Sequence, residues 1–174
     1  MPSQGPLSPS TLADDTSFGS VAWISPENAG AEDAAIAFTG STSTSHYLKA
    51  TAFGFTVPST ATIGGIVAEV KRKDAFGAGQ SVDSRVRLVK GGVVETTDKA
   101  SVDGWPAALA YQTYGSSSDL WASTWTATDI NDAGFGMVIA AVNGSPCIDH
   151  IRITVTYADA VAGHTRGVRA MILP

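Results

Sequence analysis

The three histidines of this chain are its first candidates for chemistry, because the imidazole nitrogen is a common metal ligand. His46, His150 and His164 lie far apart in the sequence. A metal site needs several ligands that converge on one point and are held there by supporting partners. His150 follows Asp149 on the polar face of the last predicted strand. We therefore expect exposed strand or loop histidines, with no metal site and no bound cofactor.

An acidic segment that begins at Asp129 resembles part of a calcium-binding loop. Acid or amide side chains occupy its first and third positions, and Gly134 occupies its sixth. The fifth position is Ala133 and the twelfth is Ala140, so two of the required oxygen ligands are missing. The same residues suit a short helix, with Thr128 as N-cap, acids near its start and Gly134 at its stop. The sequence predicts a structural turn of helix here.

No motif of nucleophilic or phosphate-transfer catalysis is present in the sequence. It contains no Gly-x-Ser-x-Gly turn and no glycine-rich phosphate loop. The single cysteine, Cys147, cannot form an internal disulfide, and no base is predictable beside it. We expect it to be a small, partly buried side chain. Because neither a nucleophile–base pair nor a set of metal ligands can be recognised, the sequence predicts that the protein is not an enzyme.

Two sets of side chains leave alternatives open. Basic residues on two strands, predicted to pair through the 74–80 loop, could form a stripe that docks on an acidic partner, or a solvated face that blunts aggregation. These residues are Lys71, Arg72, Lys73, Arg85, Arg87 and Lys90. Four tryptophans could form a sugar-stacking platform or close the ends of a buried core, and their positions beside turns favour the core. They are Trp23, Trp105, Trp121 and Trp125.

The composition describes one compact domain. At 174 residues, with 18 glycines and 16% charged residues, the chain is long enough to bury a core without disulfides. A formal net charge of −5 argues against a dedicated nucleic-acid binder, whose surface would be basic. No apolar run approaches the length of a transmembrane helix. The first residues lack the basic start and apolar middle of a signal peptide. We expect synthesis in the cytoplasm, with no nucleic-acid or membrane partner.

Alternation of apolar and polar residues predicts an all-β protein, an antiparallel jelly-roll-like β-sandwich with one short helix. In the last strand the inward residues should be Ile151, Ile153, Val155 and Tyr157, and the outward ones His150, Arg152 and Thr154. Adjacent Gly91 and Gly92 predict a tight hairpin. Strands are predicted at residues 20–24, 34–39, 46–56, 63–73, 81–90, 93–98, 111–115, 135–142 and 148–157.

Both ends of the chain are predicted to be extended arms that flank a sandwich at residues 18–157. Residues 1–17 are rich in Pro, Ser and Thr, and residues 158–174 are basic and end in an apolar run. Segments of this kind bury too little surface to fold alone, so we expect them to order against a partner. The alternative is that both fold back on their own domain. The predicted partner-contact residues are Leu7, Leu12, Arg166, Arg169, Ile172 and Leu173.

Within residues 20–157, a series of core and turn segments forms a recognisable sequence pattern. The runs are Tyr47–Pro58, Ile63–Val70, Asp83–Gly92, Asp119–Trp121, Trp125–Asn131, Phe135–Val138 and Asp149–Tyr157. Together they resemble a group of structural proteins of tailed-bacteriophage virions. The resemblance rests on core and turn residues and includes no catalytic signature.

The resemblance implies a non-enzymatic capsid decoration (cement) protein, made in the host cytoplasm and located in the virion. Such a protein binds the outside of the phage head and stabilises it. It would contact the major capsid protein or other virion proteins. Decoration proteins of this size are often homotrimers. Two alternatives stay open at this stage. One is a tail, collar or fibre component with an adhesive role, and the other is a carbohydrate-binding module.

Overall fold

The computed structural model describes residues 1–40 and 43–159 and confirms the predicted all-β class. Within these residues, ten strands form two five-stranded antiparallel sheets, with one short helix, α1 (Ala127–Asn131). The strands are β1 (Ser3–Leu7), β2 (Thr11–Asp15), β3 (Ala37–Phe38), β4 (Tyr47–Thr51), β5 (Thr62–Asp74), β6 (Val82–Lys90), β7 (Val93–Val94), β8 (Ala110–Gly115), β9 (Gly136–Val142) and β10 (Pro146–Ala158). The first sheet has the order β1-β10-β5-β8, with β3 also on β10, and the second β2-β4-β9-β6-β7.

The long antiparallel pair of β5 and β10 is the centre of the first sheet, and its register agrees with the predicted alternation. Ile151, Ile153 and Val155 are completely buried, and Ile153 lies opposite Ala68. Tyr157 is only partly buried, where it packs against the core. The prediction of an outward register is right for Arg152 and Thr154, which remain partly accessible.

The expectation of an exposed His150 is wrong, because other segments cover the outer face of β10 at this point. His150 retains only 6% of its accessible surface. The chain around Gly30 forms an antiparallel bridge to it, and the side chains of Ser8 and Tyr111 contact its ring. An alternating pattern reports which side of the strand a residue occupies, but not what packs over that side.

All four tryptophans lie in the core, as the sequence favoured. Their exposed fractions range from 0% for Trp105 to 7% for Trp125. Each indole N–H reaches an internal acceptor, such as the carbonyl oxygen of Ile66 for Trp121, at 3.0 Å. Burial with a satisfied N–H is the favourable state for this side chain. The tryptophans therefore do not form an exposed row.

The N-terminal segment belongs to both sheets, which corrects the prediction of an arm over residues 1–17. β1 pairs with β10 at the edge of one sheet, and β2 pairs with β4 at the edge of the other. Leu7 and Leu12 pack, partly buried, against the core. The apolar surface of the segment alone is too small to order it. Main-chain hydrogen bonds to the sheet edges also stabilise it, and each contributes on the order of 1 kcal/mol whatever the side chain.

Helix α1 begins two residues earlier than predicted. Thr126, not Thr128, is the N-cap: its hydroxyl accepts from the Asp129 N–H at 3.1 Å, and Asp129 accepts from the Thr126 N–H at 2.8 Å. This reciprocal arrangement is a capping box. At its other end Asp132 is the C-cap, and Gly134 lies two residues further on. The predicted hairpin is confirmed, with positive φ at both Gly91 and Gly92.

Candidate functional site

The outer face of the first sheet carries a network of polar side chains centred on His150. The register places three of its members in one row across three strands, because His150 of β10 is opposite Lys71 of β5, which is opposite Tyr111 of β8. The bridge between Gly30 and His150 brings in Glu32. Ser8 arrives from the short link between β1 and β2. Five separate parts of the chain therefore meet here.

A continuous chain of hydrogen bonds runs from Ser8 to Glu32. The Ser8 Oγ lies 2.8 Å from His150 Nε2, and the Tyr111 hydroxyl lies 2.7 Å from His150 Nδ1. The Tyr111 hydroxyl donates to Glu32 Oε2 at 3.0 Å. Ser8 is an exposed residue, whereas His150 is buried. The network therefore has one end open to solvent and a protected centre.

The acceptor at the far end fixes the direction of every proton in this chain. The Glu32 carboxylate has no proton to donate, so the single hydroxyl proton of Tyr111 points to Glu32. The Tyr111 oxygen must then accept from His150 Nδ1–H. His150 Nε2 is left as an acceptor, and the Ser8 hydroxyl donates to it. This is the tautomer in which a histidine can take a proton from a serine.

Charged partners hold Glu32 and the sheet face in place. Lys71 Nζ lies 2.8 Å from Glu32 Oε1 and 3.0 Å from Asp149 Oδ2. The contact with buried Asp149 is an ion pair without good hydrogen-bond angles, and the other Asp149 oxygen accepts from the Ala34 N–H at 2.7 Å. The Arg152 guanidinium stacks 3.8 Å from the centre of the Tyr111 ring. It also forms a two-bond pair with Glu69, at 2.8 and 3.1 Å.

The pKa values of the network follow from these contacts. The hydrogen bond from Lys71, followed by that from Tyr111, lowers the pKa of Glu32, which keeps it an acceptor. Burial lowers the pKa of His150 below its ordinary value of 6.5, so the ring is neutral at pH 7. Burial, assisted by Glu32, raises the pKa of Tyr111 to about 12. Tyr111 therefore keeps its proton in the physiological range.

In chemical terms, the arrangement is a hydroxyl, a neutral base and a group that orients the base. No such pair is recognisable in the sequence, whereas the structure places the Ser8 hydroxyl within hydrogen-bond distance of His150. The two residues are 142 positions apart, and no local motif marks either of them. The one available signal was a histidine on the polar face of a central strand. The described parts of the chain contain no detected pocket and no group of three or more side chains placed to hold a metal ion.

A second polar cluster lies between the two sheets, and its role is structural. Arg72 of β5 forms an ion pair and hydrogen bond with Asp83 of β6. Trp105 Nε1 and the Tyr114 hydroxyl donate to the same carboxylate, each at 2.8 Å. The Ser101 N–H completes its coordination at 2.9 Å. These donors satisfy a carboxylate that would otherwise be costly to bury.

The predicted basic stripe does not form, because β5 and β6 belong to different sheets. The 74–80 loop crosses between the sheets instead of closing a hairpin. Arg72 is buried, and four of the others form ion pairs: Lys71 with Glu32 and Asp149, Arg85 and Arg87 with Asp98, and Lys90 with Asp129. Cys147 is a free, buried thiol whose pKa is raised by that burial.

Of the predicted partner-contact residues, Leu7 and Leu12 pack against their own core. The other four, Arg166, Arg169, Ile172 and Leu173, lie outside the described residues, as does His164. The third histidine, His46, hydrogen-bonds Asp14 of β2 at 2.8 Å. Both leucines are only partly buried, so each keeps part of its surface accessible.

No protein-family model and no curated protein matches this chain. Among solved structures, it is similar to the crystal structure of a Podospora anserina GH26-CBM35 β-(1,4)-mannanase, at 15% identity and a TM-score of 0.29. The match covers 93% of this chain but only 28% of the mannanase chain. A TM-score of this size supports no conclusion about fold or function. Within residues 1–40 and 43–159, no helix has the length and apolar character needed to cross a bilayer.

Proposed function

We propose that this protein is a non-enzymatic structural component of a tailed-phage virion, and specifically a decoration protein that binds the outside of the head. The proposal starts from the resemblance carried by core and turn runs in residues 20–157. The antiparallel sandwich is the kind of rigid body that such a role needs. The partner would be the major capsid protein or another virion protein.

The observation that carries the proposal is the position of the first residues beside the end of β10, at one corner of the sandwich. Tyr157 N donates to Pro2 O at 3.0 Å, and Ser3 is the register partner of Thr156. β10 therefore ends beside the first residues of the chain. A body joined to a particle through one corner leaves its two sheets free to pack against neighbouring copies.

The C-terminal segment has the composition of an attachment sequence. It contains Arg166 and Arg169, no acid after Asp159, and an apolar end that includes Ile172 and Leu173. Burial of each apolar side chain contributes on the order of 1.5–3 kcal/mol. Contacts of this size, multiplied by the symmetry of a trimer, give a strong total attachment. Binding only to the assembled shell would stabilise that shell against its free subunits.

The test uses washed particles of a phage from which the gene for this chain has been deleted. Full-length protein should saturate the heads, and a variant that lacks residues 160–174 should not be retained. The double substitution Ile172→Asp/Leu173→Asp should fail in the same way. Val102→Asp is the matched control, because Val102 is 91% exposed on the sandwich body, remote from the attachment segment in sequence. Salt should weaken the arginine contribution.

Three outcomes would count against the proposal. Equal retention of the truncated protein would place the contact on the sandwich itself. Labelling of the tail or fibres in electron micrographs, with bare heads, would favour the tail, collar or fibre alternative. Binding to neither part would exclude a virion role with these particles. The carbohydrate-binding alternative depended on an exposed row of aromatic side chains, and the four tryptophans are buried.

A further inference from the structure

We propose that Ser8 is a reactive nucleophile that accepts an acyl or phosphonyl group from an activated ester or a fluorophosphonate, with His150 as its general base. This inference goes beyond the structural role proposed above and does not depend on it. The particle contact was placed on residues after Asp159, whereas Ser8 lies between β1 and β2. One feature concerns attachment and the other concerns the reactivity of a single hydroxyl.

The geometry satisfies the structural signature of an activated nucleophile. Such a site has a hydroxyl within hydrogen-bond reach of a base, and the base is oriented by a third group. Ser8 Oγ lies 2.8 Å from His150 Nε2, and Tyr111 holds the opposite ring nitrogen at 2.7 Å. Ser8 is exposed, so a reagent can approach its oxygen.

The surroundings of His150 favour its action as a base. Burial keeps the ring neutral at pH 7, so Nε2 can accept a proton from Ser8. The negative charges of Glu32 and Asp149 stabilise the positive charge that then develops on the ring. Glu32 is also linked to the ring by hydrogen bonds through the Tyr111 hydroxyl. Lys71 and Arg152 act in the opposite sense, since both are cations near the ring. The linked carboxylate resembles in its role the acid that stabilises an imidazolium in serine hydrolases.

The step balances without an added cofactor. Ser8 Oγ forms a bond to the acyl carbon, and the bond from that carbon to the leaving phenolate breaks. The hydroxyl proton moves to His150 Nε2 and from there to the leaving group or to solvent. With a fluorophosphonate, the new bond is to phosphorus and fluoride leaves. Because the described residues enclose no detected pocket, we expect one equivalent of slow modification and no efficient turnover.

The chain supplies a matched control for this proposal. Ser10 is also exposed and lies only two residues away, but its hydroxyl donates to the Ala52 carbonyl oxygen at 2.9 Å instead of to a base. The test treats full-length protein with a reporter-tagged fluorophosphonate and locates the adduct by tandem mass spectrometry. Ser8→Ala should abolish labelling, and Ser10→Ala should leave its rate unchanged. His150→Gln should reduce the rate on the order of a hundredfold.

Tyr111→Phe is the second test of the network, and it keeps the ring that Arg152 covers. It should slow labelling, because His150 Nδ1 loses the partner that fixes its tautomer. The labelling rate of the unaltered protein should rise with pH and reach half its plateau below pH 6.5, the ordinary pKa of histidine. Circular dichroism checks that each variant is folded, and labelling should stop in denaturing urea.

Three results would overturn the proposal. One is the absence of any adduct on Ser8 in the folded protein. Another is labelling spread evenly over Ser8, Ser10 and the remaining exposed serines. The last is a Ser8 rate that is unchanged in folded Tyr111→Phe and His150→Gln, since the hydroxyl would then react without help from the network.

Discussion

Arg72 and Asp83 form an ion pair that crosses the interior from one sheet to the other, and neither side chain is more than 1% exposed. Arg72 also donates to the Tyr114 hydroxyl at 2.7 Å, and its guanidinium lies over the Trp105 ring. Burial raises the pKa of Tyr114, so this phenol stays protonated and continues to donate to Asp83. The pair therefore joins the two sheets by polar contacts inside an apolar core.

Breaking this pair should be strongly destabilising. Asp83→Ala leaves the Arg72 charge buried without its partner, so we expect a loss of about 3–5 kcal/mol in the free energy of unfolding. The double variant Arg72→Met/Asp83→Leu should lose less than Asp83→Ala, because no buried charge remains. Urea titration measures both variants. Lys49→Ala, at a partly exposed pair with Asp15, is the control and should cost about 1 kcal/mol or less. A similarly small loss for Asp83→Ala would contradict the prediction.

The fold should lose stability in mild acid through His150. The pKa of His150 is lowered in the folded chain, so the unfolded chain binds a proton at a pH where the folded chain does not. Its contribution is complete above about pH 6.5, the unfolded value, and is lost as the pH falls through the lowered pKa. Besides the uncharged Ser8, the groups that face the ring are Glu32, Asp149, Lys71, Arg152 and Tyr111.

The measurement for this prediction compares urea unfolding of the unaltered protein and His150→Asn from about pH 7.5 down to about pH 5. The unaltered protein should lose more free energy over this interval than the variant does. The carboxylates whose pKa is lowered, such as Asp74 and Asp129, lose their contribution at lower pH and affect both proteins alike. Parallel pH curves for the two proteins would show that His150 does not titrate between folded and unfolded states as described.

Two neighbouring threonines should differ in their effect on helix α1. Thr126→Ala removes the hydroxyl that accepts from the Asp129 N–H, and we expect a loss of about 1 kcal/mol. Thr128→Ala is the matched control, because Thr128 is an exposed residue inside the helix and alanine is the better helix former. Thermal unfolding of both variants distinguishes the observed cap from the one that the sequence predicted. A larger loss of stability for Thr128→Ala than for Thr126→Ala would contradict this prediction and favour Thr128 as the N-cap.

Deletion of residues 1–15 should damage the sandwich instead of trimming a free arm. It uncovers the edges of β10 and β4 and removes Leu7 and Leu12 from the core. We expect a lower urea midpoint and concentration-dependent association, because unpaired strand edges recruit other chains. Light scattering after size-exclusion chromatography measures the association. The variant Leu7→Ser/Leu12→Ser separates the loss of apolar contacts from the loss of strands. A deleted protein that stays monomeric with an unchanged midpoint would contradict this prediction.

Local pattern was sufficient for the parts of the fold that repeat along one strand. The inward set of Ile151, Ile153 and Val155 follows from alternation, and the hairpin at Gly91 follows from the backbone conformations that adjacent glycines allow. β1 and β2 were missed because their sequences have few apolar residues, and their pairing rests largely on main-chain bonds. Because main-chain hydrogen bonds form largely independently of the side chain, the residue types do not predict them.

The two polar clusters could not be predicted, since each depends on which segments the topology brings together. Arg72 has the sequence pattern of a surface residue, but it is buried because β5 and β6 lie in opposite sheets. Ser8 and His150 meet only because the first strand pairs with the last. A sequence shows the types of these side chains, but their distances depend on strand order.

The adjacency of Pro2 and Tyr157 also determines how the molecule responds to load. β1 and β10 are antiparallel, so a force that pulls Pro2 away from Tyr157 breaks the hydrogen bonds between the two strands in succession, starting at Ser3 and Thr156. A force applied at Asp159 against the opposite end of the sandwich is directed along β10. It loads the twelve residue pairs between β10 and β5 together. The protein therefore peels easily in the first direction and resists shear in the second.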